Sequence, residues 1–132
     1  MVINVLVVDD SSVMRAMIMK TMRMSGLPLG KIHQAANGQE GLEMLKQHWV
    51  DLVIVDINMP VMNGEEMIDA MREHPEMKDI SVVVISTEGS DTRIERLQHK
   101  GAVFIHKPFS PETIRDVVRN TMDIGENDET SD

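Results

Sequence analysis

Three acids and one base sit where apolar runs end. Asp9 and Asp10 close the run Val5-Leu6-Val7-Val8, and Asp56 closes Leu52-Val53-Ile54-Val55. Further on, Val103-Phe104-Ile105 leads to Lys107-Pro108. If these runs are neighbouring strands of one parallel sheet, their carboxyl ends open into a single crevice. Three carboxylates and one ammonium would then share it. Carboxylates gathered in a partly dry crevice repel and raise one another's pKa, and a bound cation removes that cost. Oxygen ligands suit Mg²⁺, which commonly keeps waters and a phosphate in its shell. The chemistry indicated is phosphoryl handling.

The elements that must position these groups are legible. Strands are expected at about 3–8, 31–36, 52–56, 80–85 and 102–106. The first, third and fourth are nearly unbroken apolar runs, as strands covered on both faces should be. Helical spacing lies between them. Met14, Met17, Ile18 and Met22 share a face over 12–25, and Leu42 and Leu45 lie in 39–48. Met67, Ile68 and Met71 lie in 65–73; Ile114, Val117, Val118 and Met122 lie in 111–122. Ser110-Pro111-Glu112 reads as an N-cap with proline at the first helical position. Asn37-Gly38 and Asn63-Gly64 read as turns. Alternating β and α segments predict an α/β fold: a doubly wound, five-stranded parallel sheet with helices on both faces. Ligands of such sheets bind beyond the strands' carboxyl ends, where the strand order reverses.

Composition narrows the classes. At 132 residues with 42% hydrophobic and 27% charged content, one globular domain is expected, over 1–122. Residues 123–132 hold five acids and no base and are expected to be a disordered acidic tail. There is no cysteine, so neither disulfide nor thiolate metal site. No apolar run reaches a membrane span and no room precedes the first strand for a signal peptide, so a cytoplasmic protein without membrane insertion is expected. The net charge of −9 argues against nucleic acid as a partner. Neither a glycine-rich dinucleotide fingerprint nor a phosphate-binding P-loop occurs, and the five histidines lack metal-ligand spacing. They are expected at the surface or its boundary. The 13 methionines suit core packing. Trp49 is expected to pack, and would report on the site only if near it.

Each site residue has a plainer role to weigh. Asp9-Asp10 could cap the next helix, yet one acid beside Ser11 or Ser12 would suffice. Asp56 alone could be a cap, and Lys107 an ordinary surface lysine. Pro108, lacking an amide donor, would end the strand and aim Lys107 along the crevice, where a compact ammonium suits a phosphate oxygen. Ser86 closes Val82-Val83-Val84-Ile85; alone it is a turn residue, and beside the acids its hydroxyl could reach a phosphoryl oxygen.

Taken in order, the segments VLVVDDSSVMR at 5–15, LVIVDINMPVMNG at 52–64, VVVISTEGS at 82–90 and VFIHKPF at 103–109 are similar to the receiver domain of two-component response regulators. The likeness is strongest to the stand-alone chemotaxis (CheY-type) members and covers roughly residues 3–122. It implies strand order 2-1-3-4-5. It implies Asp56 as phosphoacceptor from a histidine kinase of the CheA kind. It implies Mg²⁺ held by Asp10, Asp56 and the backbone carbonyl of Asn58, with Asp9 acting through water. Lys107 and Ser86 would bind the phosphoryl group, Phe104 would be the switch aromatic, and the Lys107-Pro108 bond would be cis. Asn58, Thr87 and Glu88 would flank the phosphoryl group. Output would pass by protein–protein contact to a target such as a flagellar switch protein, from a monomer, with a phosphatase as a further partner.

Departures are local. Phe104 stands where tyrosine is usual, Ser86 where threonine is commoner, and Thr87 is bulkier than the usual alanine or glycine. Thr87 is expected to slow attack by water. The segment 91–100 has a thin apolar face of Ile94 and Leu97. Its Arg93, Arg96 and Lys100, with Phe104, form either a solvated helix face or a surface for an acidic partner. Two other functions share the residues. A phosphate sink or phosphorelay intermediate has identical chemistry. A small Mg²⁺-dependent aspartyl phosphohydrolase is disfavoured, because the first strand ends Asp9-Asp10-Ser11 rather than Asp-x-Asp and no cap domain is present.

Overall fold

The computed structural model describes residues 2–123. The strands are β1 (Ile3–Val8), β2 (Leu29–Ala35), β3 (Leu52–Val55), β4 (Ser81–Ser86) and β5 (Ala102–His106). The helices are α1 (Ser12–Arg23), α2 (Gly38–Gln47), α3 (Gly64–Glu73), α4 (Asp91–His99) and α5 (Pro111–Thr121). All strands are parallel in the order β2-β1-β3-β4-β5, so the order reverses between β1 and β3. The acidic tail proposed from the sequence lies, past Asp123, outside the described residues.

Strand alternation splits the core in two. Leu6, Val8, Val53, Val55, Val82 and Val84 face α2, α3 and α4, packing on Met67, Ile68, Met71 and Leu97. Val5, Val7, Leu52, Ile54, Val83 and Ile85 face α1 and α5, packing on Ile18, Met22, Ile114 and Val118. Both faces of the central strands are thereby dry, which is why their sequences read as continuous apolar runs. Each such side chain contributes about 1.5–3 kcal/mol of burial.

Every helix starts on a side-chain cap. Ser11, Asn37, Asn63, Ser90 and Ser110 accept from the amides of Met14, Glu40, Glu66, Arg93 and Thr113. Asn37 and Asn63, read from sequence as turn residues, are therefore caps, and Asn63 forms a full capping box with Glu66. β2 starts two residues earlier than expected, directly after Pro28, because Leu29 already pairs with Ile3; exposed Gly30 and Lys31 follow at a register irregularity and carry no apolar signature, the Lys31 amide donating to Asn4 Oδ1. α1 ends at Arg23, short of residue 25, as the chain turns through Gly26 with φ 83°.

Two packing expectations fail. Met17 is 50% exposed, since the buried stripe of α1 runs through Ile18 and Met22. Trp49 is 79% exposed, because it sits in the α2–β3 loop beyond the amino end of β3 rather than under a helix. The histidines lie at the surface or its boundary, as expected, with His33 stacked on His48 at 4.0 Å between ring centroids. Burial and the neighbouring His48 and Lys31 charges hold His33 below the ordinary histidine pKa. No helix among the described residues is long and apolar enough to cross a membrane.

Candidate phosphoryl and metal site

Parallel pairing of β1 with β3 sets Val8 opposite Val55, so the next residues, Asp9 and Asp56, emerge side by side. The Asp56 amide donates to the Val8 carbonyl at 3.0 Å and locks that register. Asp9, Asp10 and Asp56 each bring a carboxylate oxygen to within 4.8 Å of the others. Lys107, at the end of β5, reaches across β4. Its Nζ lies 3.8 Å from Asp9 Oδ2 and 3.9 Å from Asp56 Oδ2. These are ion-pair separations, too long for hydrogen bonds. The Lys107 amide donates to the Ser86 carbonyl at 2.9 Å, and the Lys107-Pro108 bond is cis.

The carboxylates are not there to cap α1, because Ser11 does that. Asp9 Oδ1 accepts from the Ser11 amide at 2.9 Å. Its Oδ2 is buried without a hydrogen-bond partner among the described residues. Burial pushes the Asp9 carboxyl above its ordinary pKa; the Ser11 amide lowers it, Asp56 raises it, Lys107 lowers it and Asp10 raises it. A buried carboxylate oxygen with no donor is costly unless something else satisfies it. An all-oxygen set with one orphaned oxygen fits a hard divalent cation such as Mg²⁺.

The supporting groups are local. Asp56 Oδ1 accepts from the Ile57 amide at 2.9 Å, leaving Oδ2 toward Lys107. Gly64 folds back so that its amide donates to the Ile57 carbonyl at 2.9 Å. A side chain on Gly64 would overlap the Asp56 carbonyl oxygen, so close backbone approach fixes the β3–α3 loop. Arg15 donates to the Asp9 carbonyl at 2.6 Å and to Gln34 Oε1 at 3.0 Å, tying β1 to β2 behind the acids. Sequence reading noted Gly64 only as a turn and gave Arg15 no task. Both act through backbone carbonyls, which leave no mark on residue spacing.

The remaining candidates spread outward from this centre. Ser86 is buried, and its Oγ accepts from the Glu88 amide at 3.2 Å. Phe104 is half-buried opposite Val84, two pairs back from Ser86, with its ring edge-on to His106 at 4.7 Å. Asn58 and Thr87 are exposed. Glu88 is half-buried and turned toward α4, where it pairs with Arg93 at 2.9 Å. The other α4 cations are also engaged. Arg96 NH2 donates to Glu65 Oε1 at 2.8 Å, and Lys100 reaches Glu65 at 2.9 Å and Asp69 at 2.7 Å. Those bonds pull the Glu65 carboxyl down to about 2, the Arg96 hydrogen bond most strongly. Sequence reading placed the cations on α4 but could not see their acidic partners, which sit on α3.

The model of the response regulator receiver domain matches residues 5–119. A chemotaxis protein CheY homolog of Campylobacter jejuni is 32% identical, covering 92% of this chain and 94% of its own length. The two-component response regulator ORR5 of Oryza sativa is 37% identical over 84% of this chain and 82% of its own. The structure of Vibrio cholerae chemotaxis protein CheY4 superposes with a TM-score of 0.80 at 32% identity, covering 92% of this chain and 99% of that one. Sheet order, acidic crevice and matched span agree: this chain belongs to the response regulator receiver domain family.

Proposed function

We propose that the chain is a phosphorylation switch in chemotaxis, with Asp56 as the phosphoacceptor. The observation that carries this reading is the convergence of Asp9, Asp10, Asp56 and Lys107 around a buried oxygen without a donor. Asp56 Oδ2 attacks the phosphorus of a phosphohistidine on a CheA-like kinase. The P–N bond breaks, and its electron pair returns to the imidazole. Asp9, Asp10, Asp56 and the Asn58 carbonyl would hold Mg²⁺, which when bound supplies positive charge against the phosphoryl oxygens. Lys107 adds a second positive charge and, already poised between two carboxylates, needs only a short shift to meet the new oxygens. Ser86 accepts from Glu88, so its own proton is left to donate to the phosphoryl group. Positioning and charge neutralisation are what phosphoryl transfer chiefly needs.

The acyl phosphate adds negative charge where Ser86 and Phe104 begin a path to α4. Output passes through that face to a protein target such as a flagellar switch protein. Coverage of a CheY homolog over nearly its whole length supports the chemotaxis assignment. Similarity to a plant response regulator keeps a phosphorelay or phosphate-sink role as the second reading.

The test is intact mass after incubation with acetyl phosphate, with and without Mg²⁺, beside Asp56→Asn. A gain of one phosphoryl group that needs both the ion and Asp56 is expected. No gain, with a competent kinase also failing, overturns the reading. Binding of the phosphorylated form to a flagellar switch peptide separates the motor role from the sink.

A further inference from the structure

At the opposite end of the sheet lies a feature the phosphoryl site does not use. Asn4 near the start of β1 and Asp51 just before β3 hold that end together: the Asn4 amide donates to Asp51 Oδ2 at 2.9 Å. Asp51 Oδ1 accepts from Trp49 Nε1, also at 2.9 Å. One carboxylate thus pins the indole to the backbone while the ring stays 79% exposed. Trp49 rims a cavity of about 870 Å³ whose apolar lining includes Leu45, Val50 and Ile80. Glu76 and Asp79 also line it, both exposed and, among the described residues, neither in an ion pair. The cavity's one lysine, Lys46, is turned to Glu43 at 3.5 Å.

We infer that this groove is a docking site for a basic segment of another protein, one that places an apolar side chain on Leu45, Val50 and Ile80 and cationic side chains against Trp49, Glu76 and Asp79. Tryptophan is the aromatic ring that attracts a cation most strongly, and a carboxylate beside it adds charge complementarity. A ring already fixed by a hydrogen bond loses little freedom on binding. Charge also argues against two other occupants. Residues 124–132 carry four acids and no base, and a second copy brings a net −9. β3 separates the groove from Asp56, a distance of about 3.3 Å per strand residue, so a partner there leaves the phosphoryl site open.

The chain's single tryptophan makes the test direct. The probe is a capped peptide of alternating leucine and arginine, with a leucine–glutamate peptide as control, followed by Trp49 emission and calorimetry. A saturable one-to-one shift of emission to shorter wavelength is expected with the arginine peptide alone. Glu76→Gln with Asp79→Asn should weaken binding about three- to tenfold, the scale of two exposed charge contacts. Trp49→Leu should weaken it further by calorimetry. Glu95→Gln with Glu112→Gln removes equal charge elsewhere and should change nothing. An equal loss from that control pair would mean general attraction to an acidic protein and overturns the inference, as does absence of any shift. A shift that follows protein concentration without peptide assigns the groove to a second copy and overturns it too.

Discussion

Glu88 and Arg93 meet in a 2.9 Å ion pair that bridges the β4–α4 junction. The Glu88 end is further anchored. Glu88 accepts from the Ser90 amide at 3.0 Å, and its own amide donates to Ser86 Oγ. A short chain of polar contacts therefore runs from the buried Ser86 to α4. If Ser86 turns to a phosphoryl oxygen, the Glu88 amide loses its acceptor and the pair with Arg93 must adjust.

Arg93→Ala should shorten the life of the acyl phosphate. Released from Arg93, the Glu88 carboxylate is free to swing toward the crevice and accept a proton from an attacking water. The pair is partly exposed and worth about 1 kcal/mol, so a change of roughly fivefold is expected in phosphoryl decay. Identical decay in Arg93→Lys and Arg93→Ala would sink the idea.

Thr87→Ala should act in the same direction by another cause. Thr87 is exposed immediately after buried Ser86, and its methyl and hydroxyl are proposed to narrow the approach to the site. Removing them opens that approach to water. A decay rate unchanged from the parent would show that Thr87 does not obstruct it.

Asp9→Asn should raise thermal stability in the absence of divalent ion. It replaces a buried carboxylate, whose pKa burial has raised, with a neutral amide. An increase of about 2–6 °C in Tm corresponds to some 1 kcal/mol in a domain of this size. The same variant should lose Mg²⁺-dependent stabilisation. A lower Tm without metal would contradict the reading of Asp9 as an unsatisfied group.

Glu65→Gln should cost stability at neutral pH, with the cost vanishing in acid. The folded carboxyl titrates at about 2, below its ordinary value of 4.5. Its contribution is therefore complete above the unfolded value and disappears as pH falls from there through about 2. Urea midpoints of parent and variant should converge over that window. A gap that persists at the acid end would assign the effect to packing.

Gly64→Ala should destabilise the fold by about 2–4 kcal/mol, because the obstacle is backbone. The Asp56 carbonyl it would strike cannot rotate away without moving the proposed phosphoacceptor. Urea unfolding gives the cost, and a loss below 0.5 kcal/mol would mean the loop yields.

The sheet and its carboxyl-end residues were legible because buried parallel strands write themselves as apolar runs, and Asp9, Asp56 and Lys107 punctuate those runs. Residues held by backbone or by distant partners were not. Arg72 donates to the carbonyls of Lys78, Ile80 and Lys100, knitting three segments, and no spacing in the chain announces it. Trp49 was expected to pack because large apolar side chains usually do, and its tether to Asp51 spans only two residues of a loop. Val61 is similar: a β-branched residue at φ 67° and 76% exposed, a conformation sequence propensity would not assign.

The order β2-β1-β3-β4-β5 has a consequence for synthesis. Asp9 leaves the ribosome before Asp56, and Asp56 before Lys107, yet the proposed site needs all three together. Until β5 docks beside β4, the acids have no ammonium beside them, and the site proposed for phosphoryl transfer is incomplete. The last of these five strands to emerge is thus the one that completes the proposed site.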